Sequence, residues 1–286
     1  MLIEKRPQRK VEWPGGARVA LLLTVDFEAE EDLHPFPNGK MNYKDFSTRQ
    51  YGGRCGVWRV LEVLEKHNIK VTFFICGATA ENYPEAARAA KERGHDIAGH
   101  TYHHEYLFRL NEEEEREVFR KTIAAFETVF GQRPYGWRGC YVSDRSMGLT
   151  LEYGFKWEST QWNDDLPSIW EKEGKTMVEI PFRLFNNDVN LIGEPVMTPS
   201  TPTPLSSGKH GIARNATLVW QDEFDACYER GATTPTMQTI CVHPFLIGRP
   251  GPSKALDDFL AYTKKFPGVW YASYSDVANW WLEQGY

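Results

Sequence analysis

The stretch "RVALLLTVDFEAE", residues 18–30, decides how the rest of the chain is read. Its apolar run from Val19 to Val25, with Thr24 inside it, is far shorter than the roughly 20 residues a bilayer-spanning helix needs, and it runs straight into Asp26 and Glu28. Those features describe a buried strand. Side chains alternate along a strand, so Asp26 and Glu28 project to one face while Val25 and Phe27 go to the other. Two acids on one side of such a strand are costly to bury unpaired. They mark either the strand's exit into solvent or a site built at its C-terminal end.

Outward from this strand, short apolar segments alternate with amphipathic ones. "CGVWRVLEVLEKHN" (55–68) carries Val57, Val60, Leu61 and Leu64 on one helical stripe, and "KVTFFIC" (70–76) follows as a strand. Further strands are expected over 95–100, 135–139, 155–159, 177–181, 237–243 and 269–272. Helices are expected over 83–94, 144–153, 216–230, 254–265 and 275–284. Asn111 reads as an N-cap, the acids Glu112 to Glu115 suit the positive end of a helix, and Gly131 stops it near Phe130. That acidic run is therefore a helix start and not a metal site. The pattern points to an α/β fold, a (β/α) barrel of about seven parallel strands, with a doubly wound sheet as the competitor. No GxGxxG or GxxxxGK[ST] follows the first strand, which weakens the nucleotide-binding version of that competitor. A single domain over 1–286 is expected, with excursion loops near 30–52 and over 195–209, the latter spelling "PVMTPSTPTPLSSGK".

Composition narrows the function classes. A formal net charge of −6 provides no basic surface for a phosphate backbone, so no nucleic-acid partner is expected, and no segment is apolar enough to imply a membrane. The N-terminal "MLIEKRPQRKVEWPGG" has no apolar secretory core, from which a cytoplasmic location is expected. Five scattered cysteines form neither a disulfide framework nor a CxxC pattern and read as reduced, buried thiols. Cys140 stands apart because it follows Trp137-Arg138-Gly139 in a loop with other polar signals.

"GHDIAGHTYHHE" (94–105) holds four of the eight histidines. His100 and His104 are four apart, the separation that puts two imidazoles on one face of a helical turn within reach of one metal, although the same spacing describes two solvent-facing histidines. Thr101 stands where a zincin would have glutamate. Glu105 is in reach to orient a ligating imidazole, or is a solvated glutamate. His95 reads as structural, and His103 points away from the pair. What raises these signals is their place in the chain. Asp26/Glu28, His100/His104, Trp137-Arg138, Asn163-Asp164-Asp165 and His243-Pro244 each follow an expected strand, and in a (β/α) barrel those strand ends share the face where active sites lie.

Taken together, "TVDFEA", "HTYHH", "WRGCY", "QWNDDLP" and "CVHPFLIGRP" resemble, in order, the motifs of the polysaccharide deacetylase family, also called NodB-homology or carbohydrate esterase 4-like. The resemblance covers about residues 18–280 and implies an irregular (β/α) barrel that hydrolyses carbon–nitrogen amide bonds with one divalent metal ion, usually zinc. It implies Asp26 as catalytic base, Glu28, His100 and His104 as metal ligands, Arg138 as the residue steadying the base, and His243 as general acid. Asp165 or Asp164 would orient that acid. The Asp-x-Glu spacing departs from the adjacent aspartates usual in sugar deacetylases. Together with "YGGRCGVW", "VEIPFRLFNND" and "NDDLP" it looks like the branch containing allantoinase-type and cyclic-imide hydrolases and peptidoglycan-deacetylase-like proteins. That branch implies a homodimer or homotetramer.

The substrate expected is a small cyclic imide, ureide or related amide, with Trp137, Trp162 and Asp164 as substrate-binding residues in a largely apolar pocket. An N-acetyl sugar or peptidoglycan-type deacetylase is the alternative within the class. A non-catalytic binder is the alternative outside it, although a binder has no need of both an acid and a base.

Overall fold

The computed structural model describes residues 2–7, 10–33, 40–193 and 213–286. The expected excursion over 195–209 lies outside the described residues, as do residues 34–39 of the other. The strands are β1 (Ile3–Lys5), β2 (Val19–Phe27), β3 (Thr72–Ile75), β4 (Asp96–Gly99), β5 (Gly136–Trp137), β6 (Trp157–Glu158), β7 (Ser168–Lys172), β8 (Lys175–Glu179), β9 (Thr236–Val242) and β10 (Val269–Tyr271). The helices are α1 (Tyr43–Tyr51), α2 (Val57–Lys66), α3 (Gly77–Asn82), α4 (Pro84–Glu92), α5 (Glu112–Phe130), α6 (Ser146–Glu152), α7 (Asp188–Ile192), α8 (Ala213–Arg230), α9 (Pro250–Thr263) and α10 (Tyr274–Gln284). None of them is long and apolar enough to cross a membrane.

One sheet runs β1-β7-β8-β6-β5-β4-β3-β2, with β9 and β10 also paired to β2. The pairs from β8 through β6, β5, β4, β3 and β2 to β9 are all parallel. All nine residues of β2 are buried, because neighbouring strands take both its edges and packed side chains cover both its faces. The sheet curls until the segment after β8 meets β9, through an isolated parallel bridge between Asn187 and Cys241. The Asn186 side-chain amide also donates to the Thr239 carbonyl (3.1 Å), and the Thr239 hydroxyl accepts from the Arg183 amide (2.9 Å). Among the described residues, this seam is joined by side chains and a single bridge, not by a continuous ladder.

Alternation along β2 separates two cores. Val19, Leu21, Leu23, Val25 and Phe27 pack outward with the stripe Val57, Val60, Leu61 and Leu64 of α2 and with residues of α8 and α9. Ala20 and Leu22 pack with Phe74, Ala98, Trp157, Val178 and Met237 on the other side. Asp26 has the parity of this second, inner set. Helix α5 begins and ends where expected: Asn111 and Glu114 form a reciprocal capping box, and Gly131 takes a left-handed φ of 70°.

Two features depart from the sequence reading. β1 and β7 extend the sheet antiparallel to their neighbours, with β7 and β8 joined through Glu173 and Gly174, both at positive φ as a tight hairpin turn requires. The excursion near 30–52 is also not all loop: it carries α1, which passes through the wide turn Gly52–Gly56 into α2.

Candidate active site

The end of β2 places Asp26 and Glu28 side by side, 5% and 3% exposed. Burial pushes both carboxyls up, but neighbouring charges outweigh it. Arg138 and His100 hold Asp26 below the usual carboxylate range, and His104 and His243 hold Glu28 well below it. Arg138, just past β5, reaches both Asp26 oxygens from one nitrogen, at 3.0 and 3.1 Å. Its other donors go to the Ser159 carbonyl (3.0 Å), the Ser159 hydroxyl (3.0 Å) and the Tyr274 hydroxyl (3.2 Å), while the guanidinium lies 3.8 Å from the Phe74 ring centroid. A cation so fixed in an apolar wall keeps Asp26 charged and in one orientation.

Glu28 Oε1 sits among three imidazoles, 3.2 Å from His100 Nε2, 3.1 Å from His104 Nε2 and 3.6 Å from His243 Nε2. His100 Nδ1 lies 2.9 Å from the Arg138 carbonyl, which sets that nitrogen as donor and leaves Nε2 as the lone-pair atom. The pair does not stand on a helical turn, as its spacing suggested. Residues 100–106 form a loop in which Thr101 and His104 have φ values of 60° and 54°. These conformations are strained for side chains with a Cβ, and they bring the two rings to 5.1 Å. Glu105 does not hydrogen-bond the His104 ring; its carboxylate accepts from the Tyr102 amide at 3.1 Å. His95 is buried, with Nδ1 accepting from the Val71 amide, and exposed His103 pairs with Glu31.

His243 follows β9. Its Nδ1 is 2.7 Å from Asp188 Oδ1, and its amide donates to Asp188 Oδ2 at 2.9 Å. Asp188 is fully buried at the start of α7. Burial pulls the imidazole down, but Glu28, Cys241 and Asp188 together hold His243 well above its ordinary value.

Three expected residues are elsewhere. Asp165 is an exposed partner of Arg183 at 2.9 Å and does not orient His243; the seam between β8 and β9 brings Asp188 there instead. Asp164 caps the amide of Asp165 and lies 3.3 Å from Arg6, outside the cavity that holds the acid and base. Trp137 is fully buried, stacked 4.3 Å from Phe119, because its side chain takes the outward parity of β5. Trp162 does line the cavity and is 62% exposed. Sequence reasoning also missed Asp32, a partly buried carboxyl that lines the cavity and pairs with Arg49 at 2.8 Å. Burial, opposed by Arg49, pushes it up to about 6. Asp188 closes the quoted "FNND" run, whose only local signal was that acid after a pair of asparagines.

Above the charged floor lies a cavity of about 680 Å³. Tyr141, Val142, Trp162, Phe182 and Leu184 give it apolar walls, and Gln161, Asn163, Asn187 and Asn190 add amide groups. The donor set fits a divalent cation. Glu28 Oε1 lies against both His100 and His104, the buried Asp26 carboxylate lies beside them, and among the described residues His104 Nδ1 is buried with no hydrogen-bond partner.

Comparison with known proteins shows likeness along nearly the whole chain. The family model described as polysaccharide deacetylase matches residues 45–154. A crystal structure of a "putative polysaccharide deacetylase" from Mycobacterium smegmatis is 30% identical, covering 99% of this chain and 96% of that one with a TM-score of 0.86. The structure of Puue allantoinase is 29% identical, covering 95% and 92%, with a TM-score of 0.84. A peptidoglycan deacetylase-like protein of Gibberella zeae is 26% identical over 93% of this chain and 87% of its own length. The chain therefore belongs to the polysaccharide deacetylase family, hydrolases that act on carbon–nitrogen bonds other than peptide bonds.

Proposed function

We propose that this chain hydrolyses an amide-type carbon–nitrogen bond in a small, flat cyclic imide, ureide or related amide. The observation that carries the reading is the cavity. At about 680 Å³ it is the size of a small-molecule site, apolar in its walls, with the acid–base groups gathered at its floor. Glu28, His100 and His104 would hold one divalent ion, with zinc suited to two imidazoles and a carboxylate. When bound, such an ion supplies Lewis acidity and lowers the pKa of water towards neutrality. Asp26, kept ionised by Arg138, takes the proton of the attacking water. His243, kept protonated against Asp188, gives its Nε2 proton to the leaving nitrogen, without which an amide anion is a prohibitive leaving group. Trp162 offers a flat face for the ring, and the amides of Gln161, Asn163 and Asn187 offer donors and acceptors for its carbonyl and N–H groups.

The likeness to Puue allantoinase along almost the whole chain supports a cyclic substrate. The full-length likeness to a peptidoglycan deacetylase-like protein supports a second reading, removal of an acetyl group from an N-acetyl sugar. Purified, zinc-supplemented protein assayed against succinimide, hydantoin, allantoin and N-acetylglucosamine oligomers separates the two. Ring opening that disappears in Asp26→Asn and His243→Ala is the expected result. Acetate release from the sugars alone would overturn the first reading in favour of the second.

A further inference from the structure

We propose that Glu158 and Glu179 share one proton and act as a positioning pair, clamping residues 160–163 into the substrate-facing wall of the cavity. The inference rests on reading that cavity as the substrate site, and it adds two residues that the chemistry above does not use. Glu158 ends β6 and Glu179 ends β8, and the two are partners in the parallel register. Neighbouring strands lie about 4.8 Å apart, so side chains that share a face at one register position meet. Each residue is 1% exposed. Oε2 of each is buried, and among the described residues no amide, hydroxyl or cation donates to it. A proton on one of the two carboxyls supplies the missing donor.

Two carboxyls buried side by side do not both ionise. Burial, and after it Glu179, pushes Glu158 well above the usual carboxyl range. Burial also raises Glu179, opposed by the hydrogen bond from Glu158 and by the Gln161 and Thr160 amides. The proton therefore sits on Glu158 and points at Glu179, which stays an acceptor. The charged group that both feel is Arg138, from beyond β5, and its donors are committed to Asp26, Ser159 and Tyr274. The other residues in register with the pair are neutral, Trp137 from β5 and Ser168 from β7, and α6 lays apolar Met147 and Leu151 against Met177 of β8. Glu179 Oε1 accepts from the Gln161 amide at 2.9 Å, the Gln161 carbonyl accepts from the Phe182 amide at 2.9 Å, and the Thr160 hydroxyl accepts from the Gly139 amide at 3.0 Å. These bonds fix the segment that presents Gln161, Trp162 and Asn163 to the cavity. Ser159 is held separately, by the Trp137 carbonyl and by Arg138, so loss of the clamp falls on substrate binding more than on Asp26.

Infrared difference spectra of wild type against Glu158→Gln at neutral pH read the proton. Wild type should show the C=O stretch of a buried carboxylic acid, shifted in heavy water and absent from the variant; identical spectra in this region would overturn the proposal. Hydrogen exchange at the Gln161 amide and KM read the clamp. Glu179→Leu should speed that exchange and raise KM by about tenfold each with a much smaller change in kcat, and Glu179→Gln, whose side-chain oxygen replaces the acceptor, should restore both. Unaltered exchange and KM in Glu179→Leu would overturn the proposal, as would equal losses in the Leu and Gln variants. Should Glu179→Leu not fold, pH reads the same point on wild type. The shared proton is held at low pH and lost as pH rises through the raised value, so KM should climb and Gln161 should exchange faster than its intrinsic increase with pH. Neither change should appear in Glu158→Gln, and parallel pH dependences in the two proteins would refute the shared proton. If the chain turned over none of the substrates, the functional reading would fall, while the infrared and exchange results would still decide the pair.

Discussion

Asp188 shows how much a single carboxylate does here. It accepts from both the ring and the amide of His243, fixing the tautomer that leaves Nε2 facing Glu28 and supporting the charged imidazole. Asp188→Asn should lower kcat by about 10²- to 10⁴-fold with little change in KM. Removing the negative charge lowers the pKa of His243, so the alkaline limb of the pH–rate profile should move to lower pH. Asp165→Asn, which disturbs only a surface pair with Arg183, should leave both kinetics and profile nearly unchanged. Steady-state kinetics across pH on the two variants checks this, and equal losses in both would contradict the assignment. Asp26 and Glu28 were legible as a pair because strand alternation is a local rule. Asp188 was not, because its 55-residue separation from His243 is bridged only by the fold.

At the scale of elements, the wide turn Gly52–Gly56 joins α1 to α2 against the loop that follows His243. A Cβ on Gly56 would lie 2.0 Å from the Pro244 carbonyl oxygen, a backbone atom that cannot move without carrying His243 with it. Gly56→Ala should therefore cost about 1–3 kcal/mol of stability and also reduce kcat, whereas Cys55→Ala at the exposed neighbouring position should do neither. Denaturant unfolding beside activity measurements tests the coupling, and a stable, fully active Gly56→Ala protein would contradict it. Helix α5 was readable to its ends because its capping box and left-handed glycine are written within a few residues. β7 was not, since Trp170 and the charged residues around it make a strand only once β1 and β8 supply partners.

For the whole molecule, the candidate ligands come from separate parts of the ring: Glu28 from beyond β2, His100 and His104 from beyond β4, and His243 beside them from beyond β9. An ion bound among them would tie these segments together and bind the folded state alone. Zinc at 100 times its dissociation constant should then add about 2.7 kcal/mol of stability, visible as a Tm several degrees higher than after chelation. In His104→Ala the zinc-dependent increment should vanish or fall sharply. Thermal unfolding with and without chelator checks this, and an unchanged wild-type Tm would argue against a bound ion.

By itself, the sequence determined the alternation of strands and helices and the face on which Asp26 and Glu28 stand, because each is expressed in periodicity over a few residues. Only the tertiary structure decided that a strained loop, not a helical turn, aims His104, that Trp137 packs outward, that Asp188 holds His243, and that Cys140 comes to rest beside His100. Those outcomes depend on which strand ends meet when the sheet curls on itself, and such meetings follow from pairings between segments far apart in the chain.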